Sequence, residues 1–339
     1  MKKIITLIFP VLFIFLGGVH MQSVHADSPE LSIETVLPDN QINKKLSYFD
    51  LNISPNLKQN LVLKVKNNGS TPLKIDIDIT DGYTTFNGDL DYSITDTHKK
   101  ISVPLSIKKI ITPDKKVIEL DAKEEQEISL SLSVPEDIQE GIILGGVRFR
   151  QHQGADSENS KNETVSNEYA YVKGIKLTYG DIPSVKLKTS SARLSNIQHQ
   201  PTVLFDFSNK TASIGLDIQL KTRVEEKNSG KVVAEDISKV DMAPYANATL
   251  PVKLEEKKLP AGDYKLIVNI QGKGIKEEDQ ILYFKVTEKE SQKTKEVASQ
   301  VEQYIPTWLI IVGIALFLLL LVLIGIVLYQ RKNRTKSSK

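Results

Sequence analysis

The sequence predicts an all-β protein: two consecutive Ig-like antiparallel β-sandwiches followed by one C-terminal transmembrane α-helix. Three observations carry this. Period-2 alternation of apolar and polar residues recurs along the body of the chain. The pattern restarts near Val185 and runs for about 100 residues, enough for one such sandwich. Trp308 to Tyr329 is an uninterrupted uncharged run near the C-terminus.

In the first module, Leu61, Leu63 and Val65 alternate with Val62, Lys64 and Lys66. Leu73, Ile75, Ile77 and Ile79 alternate with Lys74, Asp76, Asp78 and Thr80, and Ile128, Leu130, Leu132 and Val134 alternate with serines. Each pattern gives one buried and one wet face. Asn67-Asn68-Gly69-Ser70 reads as a turn between the first two strands. Gly141 to Arg150 is a further strand whose Gly145-Gly146 pair predicts a bulge or a close backbone approach. Glu168 to Tyr179 is the next strand, and the polar stretch from Gln151 to Asn167 is the long hairpin loop joining the two. In the second module, Leu187, Leu194, Val203, Phe205 and Phe207 read as inward positions. So do Ile214, Leu216, Ile218, Leu220, Thr222 and Val224 on one long strand. Leu250, Val252 and Leu254 alternate again, Leu259-Pro260-Ala261-Gly262-Asp263-Tyr264 leads into a strand at Lys265 to Ile270, and Gln280 to Val286 closes the module.

The ends read as export and anchoring signals. Lys2 and Lys3, the apolar run from Ile4 to Val19 and the Val24-His25-Ala26 cleavage pattern form a signal peptide over 1–26. An uncleaved N-terminal anchor is the alternative. At ~1.5 Å per residue, Trp308 to Tyr329 reaches roughly 33 Å, matching a bilayer's hydrocarbon core. Arg331, Lys332, Arg334, Lys336 and Lys339 follow it, so the positive-inside rule puts the tail in the cytoplasm. Ile305-Pro306-Thr307-Trp308-Leu309 lacks the Thr-Gly of a sortase signal, so the helix is expected to be a lasting anchor. The expected division is 1–26 signal peptide, 27–180 first module, 181–288 second module, 289–305 stalk, helical or disordered, 306–329 transmembrane helix and 330–339 basic tail. The expected location is the plasma membrane, single-pass, with the ectodomain outside at the cell wall.

Composition narrows the chemistry. The chain of 339 residues has no cysteine, which excludes disulfides and thiolate sites. Its formal charge of +2 hides a mildly acidic body: without the two N-terminal lysines and the five basic tail residues, 37 basic residues face 42 acidic ones. No basic stripe suits a nucleic acid. No His-x-x-x-His pair, Gly-x-Ser-x-Gly elbow or phosphate loop is present, so no catalytic residue, metal ligand or cofactor is assigned. Asp76 and Asp78 read as a solvated strand face, not a calcium loop. Aromatic residues stand out at Tyr48-Phe49 and Tyr169-Ala170-Tyr171, where they suit either sugar or partner contact or core and rim packing. Tyr48, Phe49, Asp50, Tyr169 and Tyr171 are the candidate partner-binding residues.

Several segments resemble one family. Leu37-Pro38-Asp39-Asn40-Gln41, Tyr48-Phe49-Asp50-Leu51, Pro55 and Gln59 are similar to its N-terminal signature. Val134-Pro135, Gly141 to Val147 and Asn167 to Tyr171 continue it, and Met242-Ala243-Pro244 and Leu259 to Tyr264 match its second module. The family is the WxL-interacting proteins of low-GC Gram-positive bacteria. The resemblance implies a non-enzymatic surface scaffold whose first module binds peptidoglycan and whose second binds a host ligand such as an extracellular-matrix protein. It also implies WxL-domain surface proteins as partners. An extracellular carbohydrate-active enzyme on a β-sandwich, or a receptor subunit signalling through its membrane helix, are the alternative readings.

Overall fold

The computed structural model describes residues 30–93, 100–152, 170–254, 259–293 and 307–336. Eleven strands build the first module: β1 (Leu31–Val36), β2 (Phe49–Asn52), β3 (Lys58–Asn67), β4 (Leu73–Asp81), β5 (Tyr83–Thr84), β6 (Leu90–Asp91), β7 (Ile111–Pro113), β8 (Val117–Leu120), β9 (Glu125–Ser133), β10 (Gly141–Gln151) and β11 (Ala170–Tyr179). Seven build the second: β12 (Leu187–Ile197), β13 (Gln200–Asn209), β14 (Gly215–Glu226), β15 (Val232–Met242), β16 (Asn247–Lys253), β17 (Gly262–Gly272) and β18 (Ile275–Val286).

In the first module a sheet β1-β3-β9-β7 faces a sheet β2-β11-β10-β4-β8. Their inward residues, among them Leu61, Leu63, Val65, Ile75, Ile77, Ile128, Leu130, Val147 and Phe149, form one core. The second module pairs β12-β13-β16 with β15-β14-β17-β18. The two topologies correspond strand for strand: β11-β10-β4-β8 reappears as β18-β17-β14-β15, and β1-β3-β9 as β12-β13-β16. A buried asparagine repeats with them. Asn67 ends β3, accepts from the Gly69 amide and donates to Thr71 O; Asn209 ends β13, accepts from the Thr211 amide and donates to Ser213 O. A buried amide satisfies the backbone of a turn that leaves the sheet, which water cannot reach there.

The alternating segments are strands, and most expected inward positions are buried. Leu216 is the exception at 56% exposed. The β14–β15 register shifts between Gly215 and Ile218, and Asp217 has φ of 52°, so a bulge changes the phase of the alternation there. At the expected tyrosine entry to β17, the Tyr264 hydroxyl donates to Pro260 O at 2.9 Å and its ring stacks on Phe284. The expected hairpin partners β10 and β11 are antiparallel neighbours, while the loop joining them lies outside the described residues.

The two modules are not separated by a linker alone. Successive side chains of β10 point to opposite faces of its sheet. Val147 and Phe149 enter the first core, whereas Ile142 and Leu144 enter the second. The β5–β6 excursion and residues 100–102 complete the joint. The Thr84 hydroxyl donates to Asp241 O and accepts from the Ala243 amide. The Asp241 amide donates to Gly88 O, and Ile101 bridges to Ala246.

The C-terminal expectation is corrected. The run at 306–329 coincides with a helix, α1 (Thr307–Lys336). Among the described residues no helix is long and apolar enough to cross a membrane. The transmembrane helix therefore leaves the fold class, which stands as two β-sandwiches with a C-terminal helix. The single-pass localisation is withdrawn with it. The expected signal peptide, 1–26, lies outside the described residues. A helix at 288–293 takes in 289–293 of the expected stalk, opened by Thr287 and Glu290: each backbone amide bonds the other's side chain, a capping box. Residues 294–306 lie outside the description.

Candidate functional site: the outer face of the five-stranded sheet

The even-numbered residues of β10 line the outer face of the β2-β11-β10-β4-β8 sheet. Each step along them changes the environment. Beyond Leu144 comes Gly146, paired with Gly174 across the β10–β11 ladder. A Cβ on Gly146 would meet Lys173 O and Val172 Cγ1 at 3.0 Å and Tyr92 Cβ at 3.2 Å. Gly145 faces the other way, where a Cβ would lie 2.5 Å from Ile107 Cγ2 and from Thr80 O. The glycine pair thus serves close approach on both faces. On the inside it admits a 3-10 turn, Ile107–Lys109, whose Ile107 amide is capped by the Asp81 carboxylate. On the outside it admits Tyr92. Burial, then the charges of Tyr48, Asp91 and Asp241, push the Tyr92 hydroxyl up to about 12.

Further along β10, Arg148 and Arg150 stand opposite Asp78 and Asp76 of β4. Arg148 Nη2 reaches Asp78 at 3.0 Å and its Nη1 donates to Ser93 O at 2.6 Å. Arg150 Nη2 reaches Asp76 at 3.2 Å, and His152 Nδ1 lies 2.7 Å from the other Asp76 oxygen. The two arginines and two aspartates are partly buried, and His152 is exposed. The face is a ladder of half-desolvated charge pairs, bounded on β11 by Val172 and Ala170. Each guanidinium is held in place by the carboxylate across the ladder, a charge-assisted pair.

The expected site residues divide. Tyr48 is half-exposed and lies alongside Gly174, at ordinary contact distance from where its Cβ would be. Phe49 has no exposed surface and belongs to the first core. Asp50 is buried and ion-paired to Lys176 Nζ at 2.9 Å. Tyr171 packs, partly buried, against the first core. Tyr169 lies outside the described residues.

The N-terminal signature acts on the same strand. The Gln41 side chain accepts from the Asp50 amide and donates to Asn43 O and Tyr48 O. Asn40 exchanges bonds with Asn52, and Gln59 donates to Asn40 Oδ1. These contacts fix β2 against β11, parallel, with Phe49 opposite Ile175 and Leu51 opposite Leu177. The motif is a clasp for an edge strand. Arg148, Arg150 and His152 were missed as site residues. The usable signal was a pair of complementary i, i+2 patterns, Asp-x-Asp on one strand and Arg-x-Arg on another.

Among the described residues no group of three or more His, Asp or Glu side chains is placed to hold a metal ion. No curated protein matches the chain. Solved structures similar to it include the CsuC–CsuE chaperone–tip adhesion subunit pre-assembly complex of Acinetobacter baumannii archaic chaperone-usher Csu pili. It shares 15% identity over 68% of this chain and 94% of that one, at a TM-score of 0.32. The Pseudomonas aeruginosa CupB2 chaperone shares 9% identity over 66% and 91%, at 0.25. Likeness at such scores supports no inference. Family matches do: residues 31–151 match the WxL Interacting Protein peptidoglycan binding domain, and residues 160–296 its host binding domain. Both are binding domains of surface proteins, not enzymes. Covering most of the chain, these matches establish that it belongs to the WxL-interacting protein family.

Proposed function

We propose that the chain is a non-enzymatic surface scaffold that engages peptidoglycan through the outer face of its first module. Its second module presents a surface to a host ligand such as an extracellular-matrix protein, and WxL-domain proteins assemble on the same scaffold. The observation that carries the peptidoglycan reading is the ladder of Arg148–Asp78 and Arg150–Asp76 beside Tyr48. Peptidoglycan offers carboxylates on its stem peptides and sugar rings on its glycan strands. Guanidinium forks suit the first and an aromatic face the second. The shared strand β10 supports the scaffold reading, because a load applied to one module passes through packed side chains to the other.

The test is co-sedimentation of the full chain with purified cell-wall sacculi. Arg148→Gln with Arg150→Gln is expected to release most of the bound protein, and amidase removal of the stem peptides to do the same. Undiminished binding by the double variant would refute the site.

A further inference from the structure

The two modules share a topology but differ at one edge. In the first, β2 lies along the outer edge of β11, parallel to it, against Ile175–Thr178. In the second, β18 is the last strand of its sheet, with no described strand along its outer edge. Aligning the β10–β11 and β17–β18 ladders from Gly141↔Tyr179 and Gly262↔Val286 makes Leu282–Lys285 the equivalent of Ile175–Thr178. The physical cause is the path of the first strand. After β1 the chain crosses over to lay down β2, whereas β12 stays on β13 and returns by a tight turn at Gln198-His199. β12 runs close to β18 without a backbone ladder between them, and Gln280 bridges the two: its side chain accepts from the Thr189 amide and donates to Leu187 O. Lys173, its equivalent, reaches Ser47 O in the first module.

The side chains along β18 change character at that point. Before Gln280 the strand reads Lys276-Glu277-Glu278-Asp279, the charge that keeps an edge from pairing. After it comes Ile281-Leu282-Tyr283-Phe284, with Ile281 50% and Tyr283 64% exposed. Leu282 is partly buried at the second core and Phe284 buried in it, as Ile175 and Leu177 are in the first. Around Tyr283 stand Lys285 and Lys227, the latter with Nζ 5.3 Å from the ring centroid. In the first module the equivalent position is Lys176, and it receives Asp50 of the inserted strand.

We propose that the β18 edge at Leu282–Lys285 is a docking site for an extended strand of a partner protein. The strand adds parallel to β18 with the pattern apolar–acidic–apolar. Its two apolar side chains cover Leu282 and Phe284 as Phe49 and Leu51 cover Ile175 and Leu177. Its acidic side chain lies toward Lys227 and Lys285. Backbone hydrogen bonds give such an addition its affinity and the alternate side chains its specificity. This inference does not depend on the peptidoglycan site, which lies on the other module.

The probe is a fluorescein-labelled synthetic peptide of residues 47–54, whose Phe49-Asp50-Leu51 carries the pattern, titrated into the full chain and followed by polarisation. Saturable binding is expected, with new amide-exchange protection at 282–285. Ile281→Glu with Tyr283→Glu, which alters exposed positions only and sets like charge against the acidic side chain, is expected to weaken it by about tenfold or more. A peptide with Phe49→Asp and Leu51→Asp is expected not to bind. No binding by the first peptide, binding indifferent to the two glutamates, or protection at 175–178 instead would each overturn the proposal. So would a dimer of the chain that the two glutamates abolish, since the edge would then serve a second copy.

Discussion

Replacing Asn209 by alanine tests how much of the second module hangs on one buried amide. Asn209 is 1% exposed. Its Nδ2 donates to Ser213 O at 2.6 Å and Ala243 O at 3.0 Å, and its Oδ1 accepts from the Thr211 amide at 3.1 Å and the Thr211 hydroxyl at 2.8 Å. Alanine orphans the Ser213 carbonyl and the Thr211 amide; Ala243 O keeps the Ala246 amide, and the Thr211 hydroxyl keeps Ser213 Oγ. At about 1 kcal/mol or more for each orphaned buried group, the loss is about 2 kcal/mol. Ala243 is also the residue whose amide meets Thr84 of the first module, so the joint loosens too. Thermal unfolding by calorimetry is the assay. A cooperative unit of both modules drops by about 2–4 °C per kcal/mol, hence about 4–8 °C. A second module melting alone, at about 100 residues, drops by about twice that and leaves a second transition in place. Asn209→Asp keeps the acceptor and loses both donations, so it is expected to destabilise at least as much. A loss below about 1 kcal/mol for the alanine variant would refute the accounting.

Three further outcomes follow from the same coordinates. In the β10–β11 glycine set, alanine is expected to destabilise in the order Gly145, then Gly146, then Gly174, measured by denaturant midpoint. The Cβ contacts are 2.5 Å to a backbone oxygen, 3.0 Å and 3.9 Å respectively. Gly174→Ala is expected to fall within about 0.5 kcal/mol of the parent. Gly88 has φ of +87°, and its Cβ would lie 2.4 Å from Val240 Cγ1, so Gly88→Ala is expected to cost about 2 kcal/mol. Adding Val240→Ala should relieve only the Cγ1 contact, because the Val240 Cβ at 2.8 Å and the unfavourable backbone conformation both remain. Burial pushes the Asp206 carboxyl up, but hydrogen bonds from Ser191, Thr249 and Arg193 outweigh it and hold the group below the usual range. Its contribution is therefore present above the unfolded value of about 3.9 and lost as pH falls through the lowered folded value. Asp206→Asn is expected to flatten the acid limb of melting temperature against pH.

Alternation alone determined most strands, since a period of two can bury one face of a strand and no helix. It placed β3, β4, β9, β16 and β17 and the outward Asp76 and Asp78. It also located the second module's start, and the resemblance of short motifs pointed to the family. Strand pattern could not say what lies across from an outward side chain. That depends on pairing between segments some seventy residues apart, such as β4 with β10, and only the tertiary structure joined Asp76 and Asp78 to Arg150 and Arg148. Phe49 and Asp50 looked like surface anchors because a short segment after a loop carries no periodicity. The clasp of Gln41, Asn40 and Gln59 buries them as an edge strand. At the C-terminus, apolar length predicted a membrane span, but the described helix does not supply one. The division of β10 between two cores is the clearest case of what sequence leaves open. Isoleucine and leucine at 142 and 144 read as one more buried face, and only the packed second module decides which core they enter.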